Sequence, residues 1–381
     1  MITGFTHPDP AVILFPGRLS LTLPAKRHFY AVQNKVSKMK KNKGLTLKKV
    51  ADILGVSNAT VSNAFNRPDQ LSKKRRKEIL AACDELGYSG PNQAARLLRK
   101  GSSNIVALIL PDSLEYMVSD PVANQFMRGV TSVLEKNNLN LLLYSGQSQS
   151  IQSVVDFVDG FICYGAPRNP KLIPQLKTSG KRIVTVDFDI ENMASVNIDN
   201  EQAAYQIAGQ AVKVKEDNVA VLGLRLVDSE QICRVYDKEL LDCNSSISHR
   251  RLDGYSKALA EKGISLRGDR IWNIPESNIK LASLAAREAL SCQPLPDVLL
   301  CMSDLIALAA IREATAMGLK VPRDIRIVGF DGIEESLRST PKLTTIHQYS
   351  DLKGATAAKL FIDNENHNEV LSYDLQLGDS C

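Results

Sequence analysis

The sequence contains no run of about 18 apolar residues, which is what a transmembrane helix needs. Its opening segment has an apolar AVILF stretch but no basic leader and no clear cleavage site, so we expect no secretory signal. The seven cysteines are odd in number, scattered and without a CxxC pair, which argues against a disulfide framework or a zinc site. These absences predict a cytoplasmic protein with reduced thiols.

Motifs for catalysis and nucleotide binding are absent as well. No GxGxxG or GxxxxGK[ST] loop follows a strand, and there is no GxSxG elbow and no HExxH pair. The five histidines are widely dispersed and suggest no set of nucleophile, base and orienting group. The sequence therefore predicts a protein that is not an enzyme and that needs no cofactor and no metal ion.

What the sequence does have is an uneven distribution of charge. Residues 1–100 carry 19 Lys and Arg against 6 Asp and Glu, a net charge of +13. Residues 101–381 carry 28 against 36, a net charge of −8. A basic head on an acidic body indicates that the head binds a polyanion. A solvated basic tail is the alternative that charge alone leaves open.

The stretch LTLKKVADILGVSNATVSNAFN predicts two short helices joined by a tight turn. Apolar residues recur at helical spacing, Thr46 and Ser57 can cap the two helices, and Gly55 can end the first. A third helix is expected from Ser72, with a strongly basic first turn over residues 73–77. Two short helices joined by a turn that contains glycine are typical of a helix-turn-helix, whose second helix enters the DNA major groove.

Small polar side chains dominate the second of these helices. The set expected to face DNA comprises Ser57, Asn58, Ala59, Thr60, Ser62 and Asn63. Asn58, Ala59 and Asn63 are expected to face base edges, because short side chains allow a close approach. The three hydroxyl residues of the set are expected to contact phosphates more often. The alternative is a small helical bundle with an incidental polar face.

From Asn104 to Asp331 the pattern changes to apolar strands that alternate with helices. This alternation predicts a doubly wound parallel sheet, and the length suffices for two. Ligands bind such sheets at the carboxyl ends of the strands, so Arg251 and Asp304, at helix starts, are candidate ligand contacts. A guanidinium and a carboxylate together suit a polyhydroxylated or heterocyclic ligand. Taken alone, each residue could equally be a helix cap or a surface charge.

These motifs, with LSKKRRKEILAACDELGYSGPNQAARLLRKGSSNIVALILP after the second helix, resemble the LacI/GalR family of bacterial repressors over roughly residues 44–381. The resemblance implies an all-α helix-turn-helix head and an α/β body of two doubly wound parallel-sheet subdomains, similar to periplasmic sugar-binding proteins. It implies a disordered or over-extended start (1–43), a DNA-binding domain (44–90), a hinge helix and linker (91–103) and an effector-binding and dimerisation domain (104–381). The chain is expected to cross between the subdomains near residues 200, 329 and 348.

The resemblance also assigns roles to individual residues. Its hinge helix, which binds the DNA minor groove, corresponds to Asn92, Ala95, Arg96, Leu98 and Arg99, with Leu98 as the wedge between base steps. Ordinary core packing is the alternative for Leu98. The motifs RLDGYSKAL and CMSDLIALAAIREATAMGLKVPRDIRIVGFD match effector-domain motifs, which places Arg251 and Asp304 in the cleft between subdomains. Asn278 and Asn200 fall near other cleft positions by weaker matches.

The resemblance therefore implies a repressor that binds double-stranded, pseudo-palindromic operator DNA as a homodimer, controlled by a small sugar-like effector. The alternatives are a small-molecule-binding protein of the transport-receptor type without a DNA role, and an enzyme on the same scaffold. The basic head opposes the first alternative, and the missing catalytic motifs oppose the second. Two departures bear on the effector: the family's early aromatic corresponds to Val122 or Ala123, and an insertion, RLVDSEQICRVYDKELLDCNSSIS, lies beside the cleft.

Overall fold

A computed structural model describes residues 45–90, 102–215, 217–236 and 246–381. The chain divides into two compact units, one ending at Gly101 and the other beginning at Ser102. The expected start segment 1–43 and the expected hinge residues lie outside the described residues; the latter are Asn92, Ala95, Arg96, Leu98 and Arg99. In the described ranges, no helix has both the length and the apolar character needed to cross a membrane.

The first unit is built from three helices, which are α1 (Leu47–Leu54), α2 (Asn58–Asn66) and α3 (Lys73–Glu85). The hydroxyl of Ser57 caps α2, and Gly55 ends α1 with a left-handed φ of 64°, which glycine adopts without strain. The buried core between the helices contains Val50, Ala51, Val61, Ala64, Ile79, Cys83, Leu86 and Tyr88. The all-α helix-turn-helix head predicted from the sequence is confirmed.

The second unit contains thirteen strands among the described residues. They are β1 (Ile105–Leu110), β2 (Asn140–Ser145), β3 (Gly160–Tyr164), β4 (Arg182–Val186), β5 (Ala194–Ile198), β6 (Val219–Leu224), β7 (Cys233–Arg234), β8 (Ile271–Ile274), β9 (Val298–Cys301), β10 (Arg326–Val328), β11 (Thr345–His347), β12 (Asn368–Leu371) and β13 (Asp374–Gln376). Their helices are α4 (Leu114–Ser119), α5 (Pro121–Leu134), α6 (Leu172–Thr178), α7 (Asn200–Ala211), α8 (Ile247–Glu261), α9 (Ile279–Leu290), α10 (Asp304–Ala316), α11 (Glu334–Arg338) and α12 (Ser350–Asp363).

Eleven of these strands form two separate sheets, which define a first and a second subdomain. The six-stranded sheet has the order β12-β5-β4-β3-β1-β2, and all its neighbouring strands are parallel. The five-stranded sheet has the order β10-β9-β6-β8-β7 and is parallel apart from the short edge strand β7. A third pairing, β11 with β13, is antiparallel. The predicted α/β body of two doubly wound parallel sheets is confirmed.

The chain passes between the subdomains after Ile198, before Ser350 and after Leu371. The crossing expected near residue 329 is wrong, because the chain after β10 stays in the second subdomain. There the N–H of Gly329 donates to the carbonyl of Thr344 at 3.0 Å. The third crossing instead follows β12, which pairs with β5 in the first sheet and leads to a C-terminal segment that bonds to β10.

A close crossing of two helices in the second subdomain positions Arg251 and Asn200. A Cβ atom added to Gly254 of α8 would lie 2.1 Å from the carbonyl oxygen of Glu201 on α7. Only glycine therefore permits this approach of the two helix backbones. The crossing brings Arg251 of α8 against the first residue of α7, Asn200.

Candidate functional site

The outer surface of α2 has the short polar character that the sequence predicts. Ser57, Asn58 and Ala59 are exposed, and Thr60, Ser62 and Asn63 are half-buried. The hydroxyl of Ser57 accepts the N–H of Thr60 at 3.1 Å, so this expected phosphate contact also caps the helix. Within the described residues, the side chains of Asn58 and Asn63 make no hydrogen bond, which leaves their donors and acceptors open to a partner.

A strongly basic turn opens α3 next to this surface. Four of its residues are exposed, namely Lys73, Lys74, Arg75 and Lys77, and no acidic residue lies in the first turn. Arg76 differs, because its Nε donates to the carbonyl oxygen of Ala64 at 2.9 Å near the end of α2. Arg76 therefore fixes α2 against α3, while its neighbours present positive charge to the surroundings.

In the body, the carboxyl ends of the two sheets face each other and are joined by charged side chains. The guanidinium of Arg225, directly after β6, donates to the carboxylate of Asp112, which follows β1. Arg168, after β3, lies 3.5 Å from Asp112 and also donates to the carboxylate of Glu230. Burial alone would raise the pKa of Asp112. The positive charges of Arg225 and Arg168 outweigh this effect, so the pKa lies below its usual value. We call these four residues the cleft bridge.

Tyr116 makes a second connection between the subdomains. It lies on α4, a helix that the sequence reasoning did not resolve, and its hydroxyl accepts the N–H of Ser277 at 2.8 Å. Burial raises the pKa of this phenol, and the nearby Asp120 raises it further, so the hydroxyl keeps its proton. Val122 and Ala123 are buried in α5 and bring no aromatic ring to the cleft. Tyr116 is thus an aromatic side chain at the cleft that the motif comparison missed.

Deeper between the sheets lies a connected set of buried charged and polar side chains, which we call the hinge network: Asp187, Arg251, Asp331, Gln348 and Lys353. The ammonium of Lys353 donates to Asp187 at 2.7 Å and to Gln348 at 2.7 Å. Gln348 donates to Asp331 at 2.8 Å, and Asp331 lies 3.5 Å from Arg251. Burial raises the pKa of Asp331 well above its usual value, although Arg251 opposes this. The network joins α12 of the first subdomain to α8 of the second.

In the second subdomain, Arg251 makes the contacts that hold this part of the hinge network in place. Its Nε donates to Oδ1 of Asn200 at 3.0 Å, and its Nη1 donates to the carbonyl oxygen of Met302 at 2.7 Å. The guanidinium carbon lies 3.5 Å from the centre of the Phe330 ring, a cation–π arrangement. The structure thus brings together Arg251 and Asn200, two of the four residues predicted for the effector site, and holds the guanidinium in one orientation.

Asp304 is fully buried and already engaged by the protein. Its Oδ2 accepts the N–H groups of Gly332 at 2.9 Å and Ile333 at 3.0 Å, and its Oδ1 accepts the hydroxyl of Thr345. Burial raises its pKa to about 7, even though these hydrogen bonds lower it. The carboxylate therefore lacks the open acceptor that the motif match assigned to it, because it turns inward to hold the loop after Gly329.

Asn278 is a helix cap in this structure. Its Oδ1 accepts the N–H of Leu281 at 2.9 Å, and its Nδ2 donates to Glu276 at 3.1 Å. The preceding residue, Ser277, lies 2.7 Å from the hydroxyl of Ser303, which caps the helix that begins with Asp304. Asn278 thus lies beside the predicted site, but its side chain serves α9.

The backbone is strained where these residues meet. Eight described residues other than glycine have a left-handed φ, and four of them are asparagines, which tolerate it. The other four all lie at this interface: Asp187 (61°), Arg225 (49°), Asp331 (120°) and Tyr349 (50°). Such strain costs free energy and clusters at functional sites, so its concentration here supports a site between the subdomains.

The sequence reasoning missed Asp187 and Asp331, although a signal was present. Each lies within three residues after a parallel strand, in TVDFD and IVGFD, where the rule that found Asp304 applies equally. Lys353 and Gln348 carried no such signal. Gln348 lies in the second crossing and Lys353 follows it, so their contacts depend on where the chain returns to the first subdomain.

Comparison with known proteins agrees with this architecture. Residues 46–92 match the family model described as bacterial regulatory proteins, lacI family, and residues 240–379 match a periplasmic binding protein-like domain. The HTH-type transcriptional regulator Rv3575c of Mycobacterium tuberculosis is 32% identical over 325 residues, covering 83% of this chain and 90% of that protein. This chain belongs to the lacI family of bacterial regulatory proteins.

Solved structures of lacI-family regulators share the fold. The transcriptional regulator CelR in complex with cellobiose is 25% identical, with a TM-score of 0.61 over 89% of this chain and 100% of that chain. The lac repressor dimer bound to operator and the anti-inducer ONPF has a TM-score of 0.64, over 89% of this chain and 99% of that chain, at 22% identity. The second likeness shows the fold alone. The curated relatives are transcriptional regulators, in agreement with the expectation of a non-enzyme.

Proposed function

We propose that this lacI-family protein is a cytoplasmic repressor that binds a pseudo-palindromic operator as a homodimer and responds to a small, hydroxyl-rich effector between its subdomains. The effector is proposed to contact Arg251 and Asn200 directly. Asp304 supports the site from behind by holding the loop that carries Asp331, and Asn278 borders it.

The head supports the DNA-binding part of the proposal. The exposed polar face of α2 has the size and chemistry to approach base edges in the major groove, and the basic turn of α3 suits the phosphates beside it. Two-fold symmetric dimers match two-fold symmetric sites, so a homodimer predicts an operator of two inverted half-sites. We further propose that Leu98, which lies between Arg96 and Arg99 in the sequence, inserts between two base steps in the minor groove.

The single observation that carries the effector site is the fixed guanidinium of Arg251. Two of its nitrogens are held by Asn200 and Met302, and its flat face lies on Phe330. A guanidinium oriented in this way recognises oxygen acceptors with little further loss of side-chain entropy. Strained backbone and charged residues of both sheets surround it, so a ligand bound here would bias the angle between the subdomains.

The proposal is tested by calorimetric titration of the full-length protein with cellobiose, which the related CelR structure contains, and with a panel of other mono- and disaccharides and nucleosides. For a ligand that binds, Arg251→Ala and Asn200→Ala should each weaken binding by roughly ten- to a hundredfold, because a buried ligand oxygen loses about 1–3 kcal/mol when its partner is removed. Lys257→Ala, an exposed charge on the same helix, is the matched control and should bind as the wild type does.

The same ligand should change the affinity for a duplex that the wild-type protein enriches from a randomised pool, which we call the selected duplex. Linkage requires that the selected duplex changes the ligand affinity by the same factor. If wild type, Arg251→Ala and Asn200→Ala bind the ligand equally well, the proposal that it contacts these two residues is wrong. If a ligand binds but does not change the affinity for the selected duplex, that ligand does not regulate DNA binding.

A further inference from the structure

The first described residues of the body are held by a single carboxylate. Oδ1 of Asp159 accepts the N–H of Ser103 at 2.6 Å and the hydroxyl of Ser103 at 2.9 Å. Oδ2 accepts the N–H of Asn104 at 2.8 Å and the hydroxyl of Ser102 at 2.8 Å. One side chain therefore binds three successive residues at the place where the chain enters the body. We call Ser102, Ser103, Asn104 and Asp159 the linker anchor.

The anchor is itself built into the first sheet. Asp159 directly precedes β3, and its N–H donates to the carbonyl of Ile105 in β1 at 2.7 Å. Asn104 has a left-handed φ of 56°, and its carbonyl accepts the N–H of Asn140, the first residue of β2, at 2.8 Å. The entering chain is thus tied to the amino ends of three neighbouring strands, β3, β1 and β2. The amino ends of these strands lie on the opposite side of the sheet from the carboxyl ends, which are followed by Asp112 and Asp187.

The anchor carboxylate is ionised under ordinary conditions. Burial alone would raise the pKa of Asp159. Hydrogen bonds from Ser103, Ser102 and Asn104 together outweigh this effect, so the pKa lies below the usual value of 3.8. Hydrogen bonds to a charged acceptor are shorter and stronger than those between neutral groups. Four of them on three residues leave the chain direction at Ser102 little freedom.

We propose that Asp159 is a positioning residue that fixes where and in which direction the linker leaves the first subdomain, so that rotation of this subdomain reaches the segment 91–101. This inference rests on the proposed DNA-binding function. Packed networks and rigid elements with few alternative arrangements can carry coupling between two sites. If residues 102–104 were slack, they would absorb a small rotation of the sheet before it reached the linker.

Asp159 could otherwise serve only the local stability of the loop before β3. The two roles differ in what they predict. A purely local role lowers the melting temperature of the body and changes duplex binding only as far as the fold is lost. A positioning role changes specific duplex binding in protein that remains folded and that still binds non-specific DNA normally.

The test compares full-length wild type, Asp159→Asn, Asp159→Ala and the matched control Asp156→Asn, which changes the same charge at an exposed position three residues earlier. Hydrogen exchange first measures the amides of Ser103 and Asn104. They should be protected in the wild type and in Asp156→Asn, and should exchange faster in both Asp159 variants. Unprotected amides in the wild type would overturn the anchor, whether or not the protein binds an operator.

Duplex affinity is then measured for the selected duplex and for a scrambled duplex of the same length. Both Asp159 variants should lose about three- to thirtyfold in affinity for the selected duplex, the range of coupling effects from residues that touch neither ligand. The scrambled duplex should bind all four proteins equally, and circular dichroism at the assay temperature should show all of them folded. Unchanged affinity of folded Asp159→Ala for the selected duplex would refute the proposal. A wild type that enriches no duplex would refute the DNA-binding function itself, while the exchange measurement would still decide the anchor.

Discussion

The ammonium of Lys353 lies 2.7 Å from Oδ1 and 3.0 Å from Oδ2 of Asp187, and both side chains are almost completely buried. Burial lowers the pKa of Lys353, and the opposing charge of Asp187 only partly offsets this. The pair lies where α12 meets the end of β4, and through Gln348 and Asp331 it connects to Arg251 in the second subdomain. A buried pair that bridges to a second subdomain makes the crossing point sensitive to single charge changes.

We therefore expect Lys353→Met to lower the free energy of unfolding by about 3–5 kcal/mol, because it leaves Asp187 buried without its partner. The double variant Lys353→Met, Asp187→Asn should recover much of this loss, since no charge then remains unpaired and asparagine tolerates the left-handed φ of 61° at this position. Arg338→Met is the control, because the Arg338–Glu334 pair is exposed and should contribute about 0–1 kcal/mol. Urea unfolding measures all three. A Lys353→Met variant as stable as the control would contradict the importance of the pair.

Most helices and strands as far as β10 were predictable from the sequence, because apolar periodicity switches clearly between the head and the body, whereas the short helix α4 was not. The head caps at Thr46 and Ser57 were predictable too, since capping is a local interaction. The hinge network was not predictable from the sequence, because its contacts form only when α12 returns to the first sheet after a crossing. The placement of one crossing near 329 failed for the same reason: residues 329–347 stay with the second sheet through long-range hydrogen bonds that no local pattern encodes.

Asp304 should make the stability of the body depend on pH. Burial raises its pKa in the folded state from 3.8 to about 7, and Asp331 is a charged neighbour. The folded protein therefore binds a proton that the unfolded chain lacks between these two values. The stabilising contribution is complete below about pH 4 and is lost as the pH rises through about 7, with a slope of up to about 1.4 kcal/mol per pH unit.

Asp304→Asn should flatten this dependence, since an amide can still accept from Gly332 and Ile333 but does not titrate. Melting temperatures of wild type and variant between pH 5 and pH 8 provide the measurement. The wild type should lose more stability than the variant over this range. Parallel curves would show that the Asp304 carboxyl does not titrate in this interval.

Gly254→Ala should disturb the proposed effector site through helix packing. The added Cβ would lie 2.1 Å from the carbonyl oxygen of Glu201, so α8 must move away from α7. We expect a loss of about 1–3 kcal/mol in the free energy of unfolding, and weaker ligand binding as Arg251 separates from Asn200. Gly209→Ala on α7 is the control. It meets no atom within 4 Å and should stabilise the protein by up to about 1 kcal/mol through helix propensity. Equal stability of the two variants would contradict the close crossing.

Substitutions in the head should separate base recognition from phosphate contact. Asn63→Ala should relax the base preference at one position in each half-site, by about 1–3 kcal/mol. Lys74→Ala should weaken binding to all duplexes alike and reduce the salt dependence, because phosphate contacts carry no sequence information. Competition assays with single-base variants of the selected duplex measure both effects. An Asn63→Ala variant with an unchanged preference at every position would remove this residue from base recognition.

Leu98→Ala should weaken specific binding by a few kcal/mol, because unstacking of the central base step would no longer be compensated. Non-specific binding should change little, since phosphate contacts dominate it. Measurement of duplex bending by fluorescence energy transfer, alongside affinity, tests the wedge directly. If both the bend and the affinity persist in Leu98→Ala, the proposed minor-groove contact is wrong.

We propose above all that the protein binds a two-fold symmetric DNA sequence as a dimer, and selection of duplexes from a randomised pool by the full-length protein tests this. We expect a consensus of two inverted half-sites, bound at least about a thousandfold more tightly than scrambled DNA at physiological salt. We also expect two protein chains per duplex in sedimentation. Enrichment of no consensus, or of a single unrepeated half-site bound by one chain, would contradict this proposal.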